Sequence, residues 1–497
     1  MGLYTATTRD WLEQRFMKRN AAGVYFAHMP VYGLGHPDAE GGHVGRYARF
    51  LRILRELDSL SFTSLLDVGG AEGYLAHIVS TLFGARTATT DLSLQACLRA
   101  RELFGLPTAA VDSARLPFAD GAFDVVVCSE VIEHVEHPVE TLLELQRIAR
   151  VAVVLTTEEV RYDQGAIDDY LFRRPAWPHM ERNLFHPDDL AACLPGVHMV
   201  PQCDVPPPQE ALAAEPAIGW LLANTKTAAM APGCIGVVAV IEGPAFVPRA
   251  RQHDDVTLLQ HLLGTTAIPG VRAAPPTAAA DAAWSAQLRA PEVLTPLQRA
   301  ADRLRGPRDY PLHDGVPDFV SVQAPPLSRD ALVQRTATLP AAQRTALLGL
   351  RDRLFLPDRW SQDWFDLRQR EHQRGFWSNH ELVPRGPGFC WRATGNDPWV
   401  VTPCLQRALA SIELELRIHA PDAAVDAATG QVFWKGAADE AFAEERSVKF
   451  ALRNDGQVHR YLVPLAGHPC LPAEVQWLRL DLADGPCEID FLSMRLR

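Results

Sequence analysis

Between residues 64 and 156, short apolar runs alternate with stretches of helical periodicity. The runs SLLDV (64–68), ARTAT (86–90), 108–111, FDVVVC (123–128) and VAVVLT (151–156) have the length and β-branched content of strands. Helical spacing lies between them at 71–83, 93–104 and 138–149. Apolar strands joined by helices predict a parallel sheet covered on both faces, because each crossover helix buries the sheet it returns to. Two further strands, near 197–204 and 234–242, have no long helical pattern between them and predict an antiparallel pair. The fold class expected over 1–245 is therefore α/β, a doubly wound seven-stranded sheet.

Upstream, RYARFLRILREL (46–57) places Tyr47, Phe50, Leu51, Leu54 and Leu57 on one side of a helix. Arg46, Arg49, Arg52 and Arg55 fall mostly on the other, and a solvated basic face is the expectation. From about 245 the texture changes. Residues 268–308, rich in Ala, Pro and Arg, read as linker and short helices within a 246–325 connecting region. Residues 328–372 are expected to be helical, the core of a 326–385 connector. From 386 to 497, β-prone runs at 409–417, 431–435, 447–453, 458–465, 475–481 and 487–496 recur between turn signals. They predict a C-terminal antiparallel β-sandwich.

Composition narrows the function classes. The chain has 497 residues and a net charge of −12, which argues against broad binding to nucleic-acid phosphates. No apolar run reaches the ~18 residues of a membrane span. MGLYTATTRDWLEQRF shows no secretory signal. Nine cysteines are dispersed without a CxxC pair, so a reduced, cytoplasmic protein without a metal site is expected.

The stretch SLLDVGGAEGYLAHIV (64–79) carries the chemistry. A glycine turn between a parallel strand and a helix sets a ligand site at the carboxyl edge of the sheet. A dinucleotide fingerprint would require glycine at positions that hold Ala71 and Tyr74. The spacing present is D-x-G-x-x-x-G, from Asp67 through Gly69 to Gly73. It resembles the first motif of class I S-adenosylmethionine-dependent methyltransferases of the small-molecule or glycan type. Further residues support that resemblance in order. Asp91, followed by Leu92, ends the second strand, where an acid in the family accepts hydrogen bonds from ribose hydroxyls. Asp112 and Ser113 follow the third strand, near the adenine in the family. Ser129 and Glu130 open the loop after the fourth. The resemblance implies S-adenosyl-L-methionine as cofactor, held by Asp67, Gly69, Gly70, Gly73, Asp91, Leu92, Asp112, Ser113, Ser129 and Glu130.

An alcohol acceptor has a high pKa, so a general base is expected. SEVIEHVEHP offers Glu133 and His134, a pair similar to one the family often carries after this strand. His134 is the first candidate, against a reading in which it only shapes the pocket wall. WPHMERNLFHPDDL (177–190) adds His179 and His186, the latter equally a helix cap before Pro187. Arg182 and Asn183 are candidates to bind a polar acceptor, or equally to pin the loop. In the N-terminal segment 25–47, a candidate lid, Tyr32, His36, His43 and Tyr47 are candidates to face the pocket.

YPLHDGVPDFV (310–320) resembles the tail of a zinc-ribbon module sometimes joined to bacterial methyltransferases, but no cysteine lies between Cys234 and Cys390. The C-terminal region resembles jelly-roll modules of bacterial glycan-biosynthesis enzymes. That resemblance implies a carbohydrate-binding role. Trp391, Trp399, Trp434, Tyr461 and Trp477 are stacking candidates, against a core role for each. The expectation is a methyltransferase acting on a sugar hydroxyl of a polysaccharide or glycoconjugate. A small-metabolite acceptor and a non-catalytic scaffold are the alternatives. Expected partners are the acceptor and either a second copy or glycan-assembly enzymes.

Overall fold

The computed structural model describes residues 3–34, 43–157, 183–194, 196–201, 218–219, 221, 236–322, 329–354, 363–373, 376–386, 388–420, 428–436, 439 and 441–497. They fall into two compact units, one up to Leu354 and one from Asp363 onward.

The first unit is built on a sheet of β1 (Ser64–Val68), β2 (Arg86–Asp91), β3 (Thr108–Ala110), β4 (Phe123–Ser129), β5 (Ala149–Thr157), β6 (Val197–Pro201) and β7 (Val237–Glu242). Their order is β3-β2-β1-β4-β5-β7-β6. The first five are parallel, while β7 runs antiparallel to both β5 and β6. This matches the alternation read from the sequence, including the closing antiparallel pair. Every residue of β1 is buried, as a strand covered on both faces requires. Helices α1 (Leu3–Met17), α2 (His43–Asp58), α3 (Tyr74–Phe83), α4 (Leu94–Phe104), α5 (Pro138–Ile148) and α6 (Pro187–Cys193) complete the frame. Leu65, Val125 and Val127 point to one side of the sheet, where they share a core with Leu51, Leu54, Tyr74 and Ile78.

Several expectations change. The arginines of α2 are not a solvated face: Arg49 and Arg52 are each only 4% exposed, because α2 is covered on both sides. Tyr47 is fully buried and approaches the Tyr74 hydroxyl at 3.4 Å, so it belongs to the core rather than to a pocket. Part of the region read as linker is helical. Helix α7 (Asp255–Gly264) adds Leu258, Leu259 and Leu262 to the same core. Helix α8 (Ala278–Gln287) carries Trp284, whose Nε1 donates to the Thr108 carbonyl at 3.1 Å. A small sheet follows, of β8 (Gln298–Arg299), β9 (Arg303–Arg305), β10 (Asp309–His313) and β11 (Val316–Pro317). YPLHDGVPDFV forms its last hairpin, turning at Asp314 and Gly315, both at positive φ. Beyond it, the Phe319 N–H donates to the Ala110 carbonyl at 2.9 Å, covering the outer edge of β3. Within 328–372 the described residues form α9 (Arg329–Arg335) and α10 (Ala341–Leu354), but a strand at Trp364–Asp366 and only a short helix at Arg370–Gln373 follow, so the stretch is not helical throughout.

In the second unit, β12 (Trp364–Asp366), β13 (Trp377–Ser378), β14 (Leu382–Pro384), β15 (Cys390–Ala393), β16 (Trp399–Arg407) and β17 (Ser411–His419) come first. Then come β18 (Ala428–Lys435), β19 (Ser447–Leu452), β20 (Asp455–Pro464), β21 (Val475–Asp481) and β22 (Cys487–Leu496). They form two antiparallel sheets. One has the order β14-β15-β22-β17-β20 with β12 also on β22; the other is β13-β16-β21-β18-β19. Ile412, Leu414 and Phe491 of the first share one core with Val400, Val432, Trp434 and Leu480 of the second. No helix among the described residues is long and apolar enough to cross a membrane.

Candidate functional site

The turn after β1 is fixed by its own packing. Gly69 has φ +73°, and a Cβ there would strike Val131 in the loop after β4. Gly73 has φ +72°, and a Cβ would lie 2.7 Å from Leu106 Cδ1 and 3.0 Å from Ala100 Cβ. Both positions demand glycine for conformation and for close approach. At Gly70 a Cβ would collide with Thr89 and with the Asp67 carboxylate. The glycines thus bring protein elements together rather than keep space open for a ligand.

The turn's N–H groups are also committed. Those of Gly69 and Gly70 donate to the Thr90 carbonyl at 2.7 and 3.0 Å, and that of Gly73 to the Gly70 carbonyl at 2.8 Å. The Ala71 N–H donates to Asp91 Oδ2 at 3.0 Å. A diphosphate needs free N–H donors, and those of Gly69, Gly70, Ala71 and Gly73 are taken. The strand tips are acidic instead. Asp67 is 2% exposed, and its Oδ2 has no hydrogen-bond partner among the described residues. Burial, with the charge of Asp91 adding to it, pushes Asp67 up to about 7. Asp91, at the tip of β2, accepts from Ser93 N–H (2.9 Å) as well as from Ala71. Burial pushes it up to about 6, against the opposing pull of those two N–H groups.

Around this centre the other candidates are placed as follows. Leu92 packs partly buried against Cys97, Ala110, Val316 and Val320. Asp112 Oδ1 accepts from the Ala114 N–H at 2.9 Å, and the Ser113 hydroxyl lies 3.1 Å from that of Thr141. At the end of β4, Ser129 Oγ is 2.9 Å from Thr156 Oγ1, which donates to Glu130 Oε1 at 2.7 Å. Glu130 has φ +55°, a left-handed conformation rare outside glycine. Its Oε2 lies 3.2 Å from Arg49 Nη1 of α2. Arg49 thus joins the network through the basic stripe, although the pattern alone had suggested solvent.

Asn183 is 2% exposed and organises the loop after β4. Its N–H donates to the Glu133 carbonyl at 2.9 Å, and its Nδ2 to the carbonyls of Ile132 and Val135, each at 2.8 Å. That is the loop-pinning alternative. His134 Nε2 is 4.0 Å from Glu133 Oε1, with Glu133 almost wholly buried. His186 caps α6: its Nδ1 accepts from Asp188 N–H at 3.1 Å, and Asp189 answers by accepting from the His186 N–H at 3.0 Å. His36, His179 and Arg182 lie outside the described residues, as does the side chain of His43.

The N-terminal segment meets this site through two acids that no sequence motif announced. Glu13 of α1 accepts from the N–H groups of Leu94 (2.7 Å) and Gln95 (2.9 Å), and so caps α4 from 81 and 82 residues upstream. Glu72, inside the glycine turn and fully buried, accepts from His28 N–H at 2.7 Å and Met29 N–H at 3.2 Å. Arg99 lies 3.3 Å from the same carboxylate. Tyr32 is partly buried against the main core, and burial raises its hydroxyl.

A sheet ordered 3-2-1-4-5-7-6 with a reversed seventh strand, a turn closed to diphosphate and acids at successive strand tips fit the arrangement expected of a methyltransferase domain. The donor set fits its cofactor. S-adenosylmethionine carries a sulfonium and an ammonium group, matched by buried carboxylates, and ribose hydroxyls, matched by Asp91. In agreement, residues 66–155 match the family model described as "Methyltransferase domain".

No curated protein matches the chain by sequence. Among solved structures, it is similar to a putative methyltransferase from Bacillus halodurans at 16% identity, over 39% of this chain and 99% of that one, with TM-score 0.28. It is similar to geranyl diphosphate C-methyltransferase from Streptomyces coelicolor A3(2) at 17% identity, over 48% and 98%, with TM-score 0.30. Phosphoethanolamine N-methyltransferase 1 from Haemonchus contortus is similar at 14% identity, over 53% of each chain, with TM-score 0.31. Scores this low say nothing about the acceptor of the present chain.

Proposed function

We propose that this S-adenosylmethionine-dependent methyltransferase acts on a hydroxyl group of a sugar, in a polysaccharide or other glycoconjugate. The bound cofactor supplies an electrophilic methyl group on a sulfonium and leaves as a neutral thioether. Asp91 would hold the ribose hydroxyls, and the Asp67 carboxylate would balance the cofactor's positive charge. Arg49 and Thr156 fix the Glu130 carboxylate, which sets the course of the chain out of β4. His134 would take the proton of the acceptor hydroxyl during methyl transfer. Glu133 balances the charge that the ring then carries.

The observation that supports this reading most is the loop after β4. Asn183 clamps it at three carbonyls, which fixes the backbone that carries the Glu133–His134 pair. Positioning of that kind is the main need of methyl transfer. The sugar acceptor draws support from the C-terminal unit. In His134→Ala, cofactor affinity is expected to stay while turnover drops by about 10²–10⁴. A fully active variant would place the base elsewhere. Mass spectrometry of glycans extracted with and without the gene is expected to show the loss of one methyl group per modified sugar. A loss confined to small metabolites would overturn the sugar assignment.

A further inference from the structure

Strand register sets an unusual group of residues on the outward face of the five-stranded sheet. Trp399 opposes Asp481, Asp481 opposes Gln431, and Gln431 opposes Lys449, so one row crosses β16, β21, β18 and β19. Two positions along, Val401, Arg479, Phe433 and Ser447 form a second row. Their neighbours Val400, Leu480 and Val432 point the other way, into the shared core. Adjacent strands are about 4.8 Å apart, so each row offers side chains at a spacing near the width of a sugar ring.

A solvated face would leave the outward residues exposed. Gln431 is instead only 9% exposed and Phe433 6%. Residues next to β19 lie over them: Gln431 Nε2 donates to Glu444 Oε2 at 2.9 Å and to Ser447 Oγ at 2.7 Å. What remains open is a cleft of 570 Å³, with Phe433, Phe442, Arg479 and Asp481 in its lining.

Arg479 organises that cleft. Its Nε and Nη2 donate to the two oxygens of Asp481 at 2.7 and 2.9 Å, and Nη2 also bonds Asp397. The guanidinium stands 5.0 Å from the Phe433 ring centre and 5.4 Å from that of Trp399. Planar charged groups are thereby locked beside aromatic rings before any ligand arrives. The lining holds four acids, Asp397, Glu444, Asp481 and Asp484, against two bases, Arg479 and Lys449. Two excess negative charges disfavour phosphate, sulfate and carboxylate ligands. A hydroxyl both donates and accepts, so it can use the spare lone pairs of the acids and the Lys449 ammonium together. The half-buried Phe442 ring gives the cleft an apolar edge for the C–H face of a sugar.

We propose that this cleft binds a neutral carbohydrate, with Asp481, Asp397 and Glu444 accepting hydrogen bonds from its hydroxyls. This deepens the glycan part of the proposed function, yet it rests on the cleft alone and survives if methyl transfer goes to another acceptor.

The test uses the labelled full-length chain on an array of neutral and acidic oligosaccharides, followed by calorimetry with a retained neutral oligosaccharide. Two variants are compared, Asp481→Asn inside the cleft and Glu444→Gln at its exposed rim. Retention of neutral sugars is expected, with affinity at least tenfold lower in Asp481→Asn and severalfold lower in Glu444→Gln. S-adenosylmethionine affinity should be unchanged in both, which separates this proposal from the methyltransferase reading. If Asp481→Asn does not fold, Glu444→Gln decides alone. No retention of neutral sugars by the wild type, a preference for acidic sugars, or undiminished affinity in the variants would overturn the proposal.

Discussion

The Ala71 N–H donates to Asp91 Oδ2 at 3.0 Å, tying the glycine turn after β1 to the acid at the tip of β2. Through this bond the turn presents a carboxylate to the ligand instead of an N–H group. The sign of the site follows, and with it the choice between a diphosphate and a cationic nucleoside.

That sign has a pH consequence. Asp67 and Asp91 are pushed up to about 7 and about 6, mainly by burial. An unfolded Asp titrates near ~3.9. Between about pH 4 and 7 the folded state therefore holds more protons than the unfolded state, and these two groups lower stability as pH rises through that window. A cationic ligand prefers the ionised forms, so cofactor affinity should rise over the same window, by up to about tenfold per pH unit for each group titrated. Calorimetry from pH 5 to 8 checks this, and a dissociation constant that stays flat would contradict it.

Arg49 and Glu130 form a pair with side-chain exposures of 5% and 12%. Removing one partner of such a pair costs about 3–5 kcal/mol, because the other charge stays buried. Arg49→Met should destabilise the first unit by that order and lower turnover. The double variant Arg49→Met with Glu130→Gln should recover most of the stability. Denaturant unfolding of the single and double variants measures the coupling, and a single variant as stable as wild type would refute it.

Glu72 holds the backbone of His28 and Met29 and balances Arg99. Glu72→Ala should release residues 25–34 from the turn. Limited proteolysis is then expected to cut there at least tenfold faster than in wild type. An unchanged cleavage rate would mean that other contacts hold the segment.

Much of the first unit could be read from the sequence, because β1, β4 and β5 are buried on both faces and apolar almost throughout. The closing β6–β7 pair was legible for a different reason, the lack of a long helical pattern in the sequence between the two runs. Helix α7 was not legible: DVTLLQHLLG follows a Pro- and Arg-rich stretch, and only tertiary packing shows that Leu258 and Leu262 enter the core. Arg49 was misjudged because a basic stripe looks the same in sequence whether it meets water or a carboxylate brought in by another strand. Glu13 gave no local signal, since its partners Leu94 and Gln95 lie 81 and 82 residues away. His186 and Asn183 each had a structural alternative in the sequence, and the hydrogen bonds seen for them are of that kind.

The most direct measurement is calorimetric titration of S-adenosylmethionine into wild type and Asp91→Ala, with NADH as the comparison ligand. Hydrogen bonds to a charged group are worth about 1.5–3 kcal/mol each, so two ribose bonds lost should weaken binding about a hundredfold or more, and wild type should not bind NADH. Equal S-adenosylmethionine affinity in the two proteins, or NADH binding to the wild type in its place, would contradict the account.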